Sequence, residues 1–363
     1  MKTTDLCHKR DRVTKKMKAK QITALALIGL VIFSMIYVGC NTNDPPEKIK
    51  PNTVPKTEVP SPEFQSDSAF AYVKKQVDFG PRVPNSSSHI ACGDWIVSQM
   101  KSCGATVIEQ SATIKAFDGT PLKMRNIIAS FQPEKKQRVL LCAHWDTRPF
   151  ADKDPDKSFE KKPIDGANDG ASGVAVLMEI AKRIQEKPTG IGIDIIFFDA
   201  EDYGKAEFVP DETKEVLNDN FFTSWCLGSQ YWALNKHVAN YNPRFAILLD
   251  MVGAGDAQFN KEKFSLEAAE DVVGLVWNTG AKLGYTVFQD QEVEGVIDDH
   301  VMLNRAGVRC IDIIDTRPQI ATMGLGGYKF GSYHHTHKDN MDVIDRTTLK
   351  AVGQTLLQVI YNQ

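Results

Sequence analysis

The side chains that could do chemistry are gathered in six short segments. His144 and Asp146 follow the apolar run Leu140-Leu141-Cys142-Ala143, and residues two apart on an extended chain point to one side, so the carboxylate can orient the imidazole. Asp169 lies in Gly166-Ala167-Asn168-Asp169-Gly170-Ala171-Ser172-Gly173, where glycines let the backbone pack closely while the carboxylate faces a cation. Glu201 and Asp202 end a third segment, Ile195-Ile196-Phe197-Phe198-Asp199-Ala200. Adjacent carboxylates after such a run suit a division of labour in which one binds metal and its neighbour moves protons. Asp250 closes Leu248-Leu249-Asp250, and Asp298-Asp299-His300 opens a helical pattern. His334, His335 and His337 crowd the segment after the glycine-rich stretch Gly324–Gly331, expected to be a mobile loop. One His beside two carboxylates is the usual donor set of a zinc site that keeps a position open for substrate.

Each segment also has a structural explanation. A strand-end His can be a satisfied framework residue, Asp169 or Ser172 can cap free N–H groups, and Asp298 or Asp299 can favour a helix dipole. The acids at 199–202 could form a solvated turn, and the histidines a surface cluster. The glycine loop lacks the Gly-Lys-Ser/Thr of a phosphate loop. What separates the chemical explanation from these is that His144, Asp169, Glu201-Asp202, Asp250 and His335 follow one another at strand-end positions.

The elements needed to hold them there are legible. Helices are predicted over Ser86–Cys103, Gly173–Ile184, Gly228–Lys236, Leu266–Leu283, Asp298–Arg305 and Thr347–Tyr361. Strands are predicted over Ile127–Phe131, Arg138–Ala143, Ile193–Phe198, Arg244–Asp250 and Arg309–Ile314, apolar enough to be buried on both faces. The alternation gives an α/β fold with a sheet covered by helices on both faces, whose sites lie beyond the carboxyl ends of its strands.

Basic residues precede the apolar run Ile22–Val38, which ends at Gly39-Cys40. Residues 1–39 therefore read as a signal peptide, with Cys40 as the lipidated first residue of a bacterial lipoprotein in the cell envelope, facing the periplasm or exterior. A retained anchor helix is the alternative, and Met17 is a possible start. The polar, proline-rich stretch 40–66 reads as a disordered tether, leaving 67–363 as the catalytic domain. Removing the first 39 residues takes 8 of 43 basic and 2 of 46 acidic residues and leaves a net charge of −9. That balance argues against nucleic acid as a partner and restricts membrane contact to the lipid anchor. Beyond Cys40 there remain five cysteines, an odd number that implies no disulfide framework.

Taken with Phe79-Gly80-Pro81-Arg82-Val83-Pro84, His144-x-Asp146, Gly166-Ala-x-Asp169, Phe197-Phe198-Asp199-x-Glu201, Leu227-Gly228-Ser229, Leu248-Leu249-Asp250-Met-Val-Gly253-Ala254, Asp298-Asp299-His300 and His335-Thr336, residues 67–363 resemble the zinc aminopeptidase (M28-like) superfamily. The likeness is closer to its glutaminyl-peptide cyclotransferases. The resemblance implies a single domain with a mixed central sheet, and one zinc ion bound by Asp169, Asp202 and His335. It further implies Glu201 as acid/base, with Asp298 and Asp250 joining it in a network of acids. His144, with Asp146 beside it, matches a metal ligand in two-zinc aminopeptidases and a residue behind the zinc in cyclases. Asp-Asp-His at 298–300 and the Asp-x-x-Gly-Ala segment at 250–254 favour the cyclase, whose substrates would be peptides or proteins with N-terminal Gln.

Two positions depart from the cyclase pattern. Asp202 stands where Glu is usual, and His334 where animal cyclases have Trp, so the aromatic wall of the pocket is expected from Trp225, Tyr333 or His334. In the cyclase, Asp250 is expected to bond to Glu201 and Asp298. In a two-zinc aminopeptidase, Asp250 and His144 should turn to a second metal, and a catalytically silent peptide-binding lipoprotein is a third possibility.

Overall fold

The computed structural model describes residues 59–319 and 327–363, all within one unit spanning Glu58–Gln363. The expected signal peptide, the lipidated Cys40, most of the tether and Gly324–Gly326 of the glycine-rich stretch lie outside the described residues. The end of the expected tether is packed. Phe64 is buried, its N–H donates to Gln354 Oε1 at 2.9 Å, and the N–H of Val59 donates to Asn362 Oδ1 at 2.8 Å.

In chain order, the larger elements are α1 (Ser66–Asp78), α2 (Ser87–Ser102), β1 (Thr106–Lys115), β2 (Pro121–Phe131), β3 (Arg138–His144), α3 (Ala171–Glu186), β4 (Gly192–Phe198), α4 (Leu227–Leu234) and β5 (Ala246–Asp250). They continue with β6 (Phe259–Glu262), α5 (Lys263–Lys282), β7 (Phe288–Val293), α6 (Asp299–Arg305), β8 (Cys310–Ile314), β9 (Arg317–Gln319), β10 (Gly327–Lys329) and α7 (Arg346–Tyr361). The main sheet has the order β1-β2-β4-β3-β5-β8. Its first two pairings are antiparallel and its last three parallel, so it is mixed, as expected.

Alternate side chains of the central strands enter two cores. Leu141, Ile195, Ile247 and Ile311 pack with apolar residues of α1, α2, α3, α5 and α7. Leu140, Ile196, Leu248 and Cys310 pack with Trp232 of α4 and Leu303 of α6 on the opposite face. Burial on both sides explains why these strands are continuous apolar runs. The six predicted helices and five predicted strands are all present, with ends shifted by at most three residues except at β2, which begins six residues before the predicted Ile127. The sequence reading missed β1, an edge strand with a single buried residue, Ile114. It also missed α1, although Ala69, Val73 and Val77 fall at helical spacing, and the pairs β6–β7 and β9–β10, which are too short or too polar to carry a clear period. All five cysteines beyond Cys40 are free thiols.

A buried polar cluster is built around Asp194 in the central sheet. Asp194 of β4 accepts hydrogen bonds from Arg138 Nε at 2.7 Å, Ser130 Oγ at 2.6 Å and Tyr241 OH at 2.7 Å. Burial pushes its carboxyl up, but the hydrogen bonds from Arg138, Ser130 and Tyr241 outweigh this and hold it below the ordinary value. A depressed folded-state pKa contributes stability that is present above the ordinary carboxylate range and lost as pH falls through the folded value. Asp194→Ala leaves Arg138 as a nearly buried unpaired cation, and should lower the unfolding free energy at neutral pH by about 3 kcal/mol or more. Urea denaturation of the variant beside the wild type measures this directly.

Candidate active site

The strand ends and one helix start converge. His144 is the last residue of β3, and the Asp146 carboxylate, fully buried, accepts the backbone N–H of Glu201 at 3.0 Å and of Asp202 at 3.2 Å. The end of β3 thereby fixes the turn that follows β4. That turn begins at Ala200, in the left-handed region with φ of 54°. Asp169 is held from behind by Asp339, whose carboxylate accepts the N–H of Asn168 at 2.7 Å and of Asp169 at 3.1 Å. The Asp169-Gly170 peptide is cis. A Cβ at Gly170 would lie 2.4 Å from the His144 carbonyl oxygen, so only glycine allows this approach. Ser172, expected as a possible cap, instead donates to the Asn168 carbonyl at 2.5 Å and accepts from Val252 N–H at 3.0 Å, tying the loop to the end of β5.

Two groups of donors result, and Asp169 belongs to both. On one side His335 Nε2 lies 3.2 Å from Asp202 Oδ1 and 3.7 Å from Asp169 Oδ2. Donors around a tetrahedral zinc with bonds near 2.1 Å are about 3.4 Å apart, a value these two distances bracket. Asp202 Oδ2 is also buried without a hydrogen-bond partner. Asp169, His334 and His335 offer donor atoms within 4.8 Å of one another, and Asp202 joins them through its 3.2 Å approach to His335, so the residues fit a zinc ion held by Asp169 and His335 with Asp202 or His334 as the third donor.

On the other side His144 Nε2 lies 3.0 Å from Asp169 Oδ1 and 3.2 Å from Asp250 Oδ1. Burial pushes the His144 ring toward neutrality, but its contacts with Asp146, Asp169 and Asp250 outweigh this and raise its pKa well above the ordinary value. Burial pushes Asp250 up to about 8, the His144 contact opposing and Asp169 reinforcing the shift.

Asp250 is thus turned to His144. The expected hydrogen bonds from Asp250 to Glu201 and Asp298 are not found among its contacts, because the imidazole between the strand ends of β3 and β5 is the nearer partner.

Glu201 forms a further group with Cys226 and Asp298. Its Oε1 is 3.1 Å from Cys226 Sγ, and acceptor atoms of Glu201 and Asp298 lie within 4.8 Å of each other and of that sulfur. Burial, then the charge of Asp298, raises the Glu201 pKa well above the ordinary value, with Asp202 and Asp299 adding to the shift and His144 opposing it. Asp298 caps α6, its Oδ1 accepting Asp299 N–H at 2.5 Å, while its Oδ2 is buried without a partner. The capping role and the place beside Glu201 coexist in this one carboxylate.

Of the three crowded histidines, His335 alone reaches Asp202. His337 bonds to Asp154 and stacks on Phe159 at 4.1 Å. His334 stacks on the His335 ring at 3.7 Å and receives Lys153 Nζ at 3.2 Å on its Nδ1. Trp225 lies parallel to His335, centroids 6.0 Å apart. Tyr333, the third expected wall residue, is not at the pocket. It is buried in the main core with its hydroxyl donating to Asp315 at 2.7 Å, a partner that nothing local in the sequence announces. Cys226 and Asp339 are functional neighbours that sequence reasoning missed, since a buried thiol and a distant acid carry no periodic signal.

Asp169→Asn, Asp202→Asn and His335→Gln should each abolish stoichiometric zinc in metal analysis of the purified protein. Glu201→Gln and His337→Ala should retain it. Zinc loss in the Glu201 variant would mean that the roles of Glu201 and Asp202 are exchanged.

Residues 126–360 match the model of Peptidase family M28. The chain is 23% identical to an aminopeptidase of Bacillus subtilis over 77% of its own length and 54% of the relative's, so it spans about half of that protein. It is 26% identical to the glutaminyl-peptide cyclotransferase of Bos taurus over 76% of each. Among solved structures, Bacteroides thetaiotaomicron glutaminyl cyclase bound to N-acetylhistamine superposes with a TM-score of 0.77 at 49% identity, covering 84% of this chain and 100% of that one. A Zn-dependent exopeptidase from Parabacteroides distasonis does so with a TM-score of 0.77 at 52% identity over the same shares. The family match encloses every residue of the cluster from His144 to His335, and the chain belongs to the zinc-dependent peptidase family M28.

Proposed function

We propose that this enzyme is a glutaminyl-peptide cyclotransferase, converting the N-terminal Gln of peptides and proteins to pyroglutamate with release of ammonia. The observation that carries the reading is Glu201, a carboxyl of raised pKa within 4.8 Å of Asp298 and adjacent in sequence to Asp202. The similarity to bacterial glutaminyl cyclases supports it.

In the reaction the substrate's α-amine nitrogen bonds to its own side-chain amide carbon, and the bond from that carbon to the amide nitrogen breaks. The proton lost by the amine must reach the departing nitrogen for ammonia to leave. Glu201 is suited to carry it, because burial and Asp298 bring the affinity of a carboxylate for protons toward that needed at neutral pH. When bound at Asp169, Asp202 and His335, a single zinc ion supplies Lewis acidity toward the amide oxygen. Trp225 and His334 flank the His335 ring, and aromatic surfaces there would favour a folded substrate and discourage hydrolysis. The nucleophile is already in the substrate, so no metal-bound hydroxide is required.

The His144–Asp169–Asp250 group favours a second reading. A second zinc would be held there by His144, Asp169 and Asp250 and would help activate the water that an aminopeptidase uses as nucleophile. For the N-terminus we infer, from sequence alone, cleavage before Cys40, lipidation there and a place in the bacterial cell envelope.

Incubating the purified enzyme with a Gln-initiated and a Leu-initiated peptide separates the readings. The Gln peptide should lose the mass of ammonia and the Leu peptide should stay intact, whereas release of the first residue from the Leu peptide would establish the aminopeptidase. Glu201→Gln should lower kcat/KM on the Gln peptide by about 100-fold or more at unchanged zinc content.

A further inference from the structure

Arg148 is one of the largest fully buried side chains, at 1% exposure, and no step of the chemistry above uses it. Burying a guanidinium is costly unless its donors are satisfied. Here Nε and one terminal nitrogen bind the two oxygens of Asp152 at 2.7 and 2.5 Å. The other terminal nitrogen donates to the backbone carbonyl of Asp202 at 3.0 Å and lies 3.4 Å from its Oδ1. The flat face covers the Trp225 ring at 4.5 Å. Asp152 Oδ1 in turn lies 3.6 Å from His335 Nδ1, a ring nitrogen buried without a hydrogen bond. The same loop is tied to the ligand's backbone, since Lys153 N–H donates to the His335 carbonyl at 3.2 Å.

We propose that Arg148 and Asp152 form a positioning pair for the metal centre, in which one buried guanidinium sets the place of Asp202, the ring orientation of His335 through Asp152, and the Trp225 wall. The inference rests on the reading that Asp169, Asp202 and His335 hold zinc. A carboxylate facing Nδ1 favours the tautomer with its proton there, leaving the Nε2 lone pair directed at Asp169 and Asp202. The fork geometry is essential. Lysine would keep the charge but could not bind both oxygens of Asp152 and still reach the Asp202 carbonyl. The pair also answers how Asp202, one methylene shorter than Glu, is held in reach, because its carbonyl and carboxylate are grasped by the same side chain.

Nitrogen-15 NMR of the zinc-loaded wild-type protein, with the His335 ring assigned by its loss in His335→Gln, should show a protonated Nδ1 and a metal-bound Nε2. Arg148→Lys and the isosteric Asp152→Asn should each lower zinc affinity by about 10- to 100-fold, measured by chelator competition, and Arg148→Lys should also change the Trp225 fluorescence. A purely structural role predicts a lower melting temperature with unchanged zinc affinity, and that outcome in a folded variant overturns the proposal. If Arg148→Lys does not fold, Asp152→Asn and the wild-type tautomer decide. A protonated Nε2 also overturns it. Retention of zinc by Asp202→Asn and His335→Gln would instead overturn the ligand assignment on which the inference rests.

Discussion

Asp169 turns each of its carboxylate oxygens to a different imidazole, Oδ1 to His144 and Oδ2 to His335, and the remaining geometry follows from keeping it there. Buried among several other acids, it stays ionised only because positive charge is close. Burial pushes its carboxyl up, yet the hydrogen bond and charge of the His144 ring more than reverse this and hold it far below the usual carboxylate range. Its amide is anchored on Asp339, and its neighbour Gly170 slides under the His144 carbonyl where no side chain could fit. Displacing this one residue would disperse both donor groups.

The surrounding backbone is shaped for the same end. Ala200, Cys226, Met251 and His335 occupy the left-handed region with φ between 50° and 55°, a conformation that is unfavourable by about 1–2 kcal/mol for residues with a Cβ. They lie beside the strand ends and the ligands, where local strain is often retained for function. Hydrogen bonds hold the first two together: Cys226 N–H donates to the Glu201 carbonyl at 2.9 Å, and Leu227 N–H to the Ala200 carbonyl at 3.0 Å. The cores on both faces of the sheet make such strain affordable, because the strands that end at these turns are themselves immobilised by packing.

Cyclase and aminopeptidase chemistry can share this scaffold because they differ in where the nucleophile comes from. An internal amine needs a proton carrier and one electrophilic centre. A water nucleophile is better served by two metals. His144 lies between Asp169 and Asp250, where an imidazolium would supply in one residue the positive charge that a second metal would otherwise bring. The same three side chains can therefore serve either as a filled electrostatic site or as a second set of ligands, and their contacts alone are compatible with both.

The alternating pattern of apolar strands and amphipathic helices was sufficient for the sheet, its helical cover and the strand-end positions of His144, Asp202 and Asp250, since period and burial are written locally. Residue types and their order pointed to a metal-binding cluster of acids and histidines, while the choice of ligands and the role of Glu201 came only from the family resemblance. The partner of each polar group was not legible. Asp250 meets His144 rather than Glu201, Tyr333 leaves the pocket for Asp315, and Arg148 joins Asp202, Asp152 and Trp225, all through contacts whose members lie far apart in the chain or in irregular loops. Such choices depend on distances of a few tenths of an ångström between buried charges, and these are decided only when the strand ends, the cis loop at Asp169 and the His335 turn pack against one another.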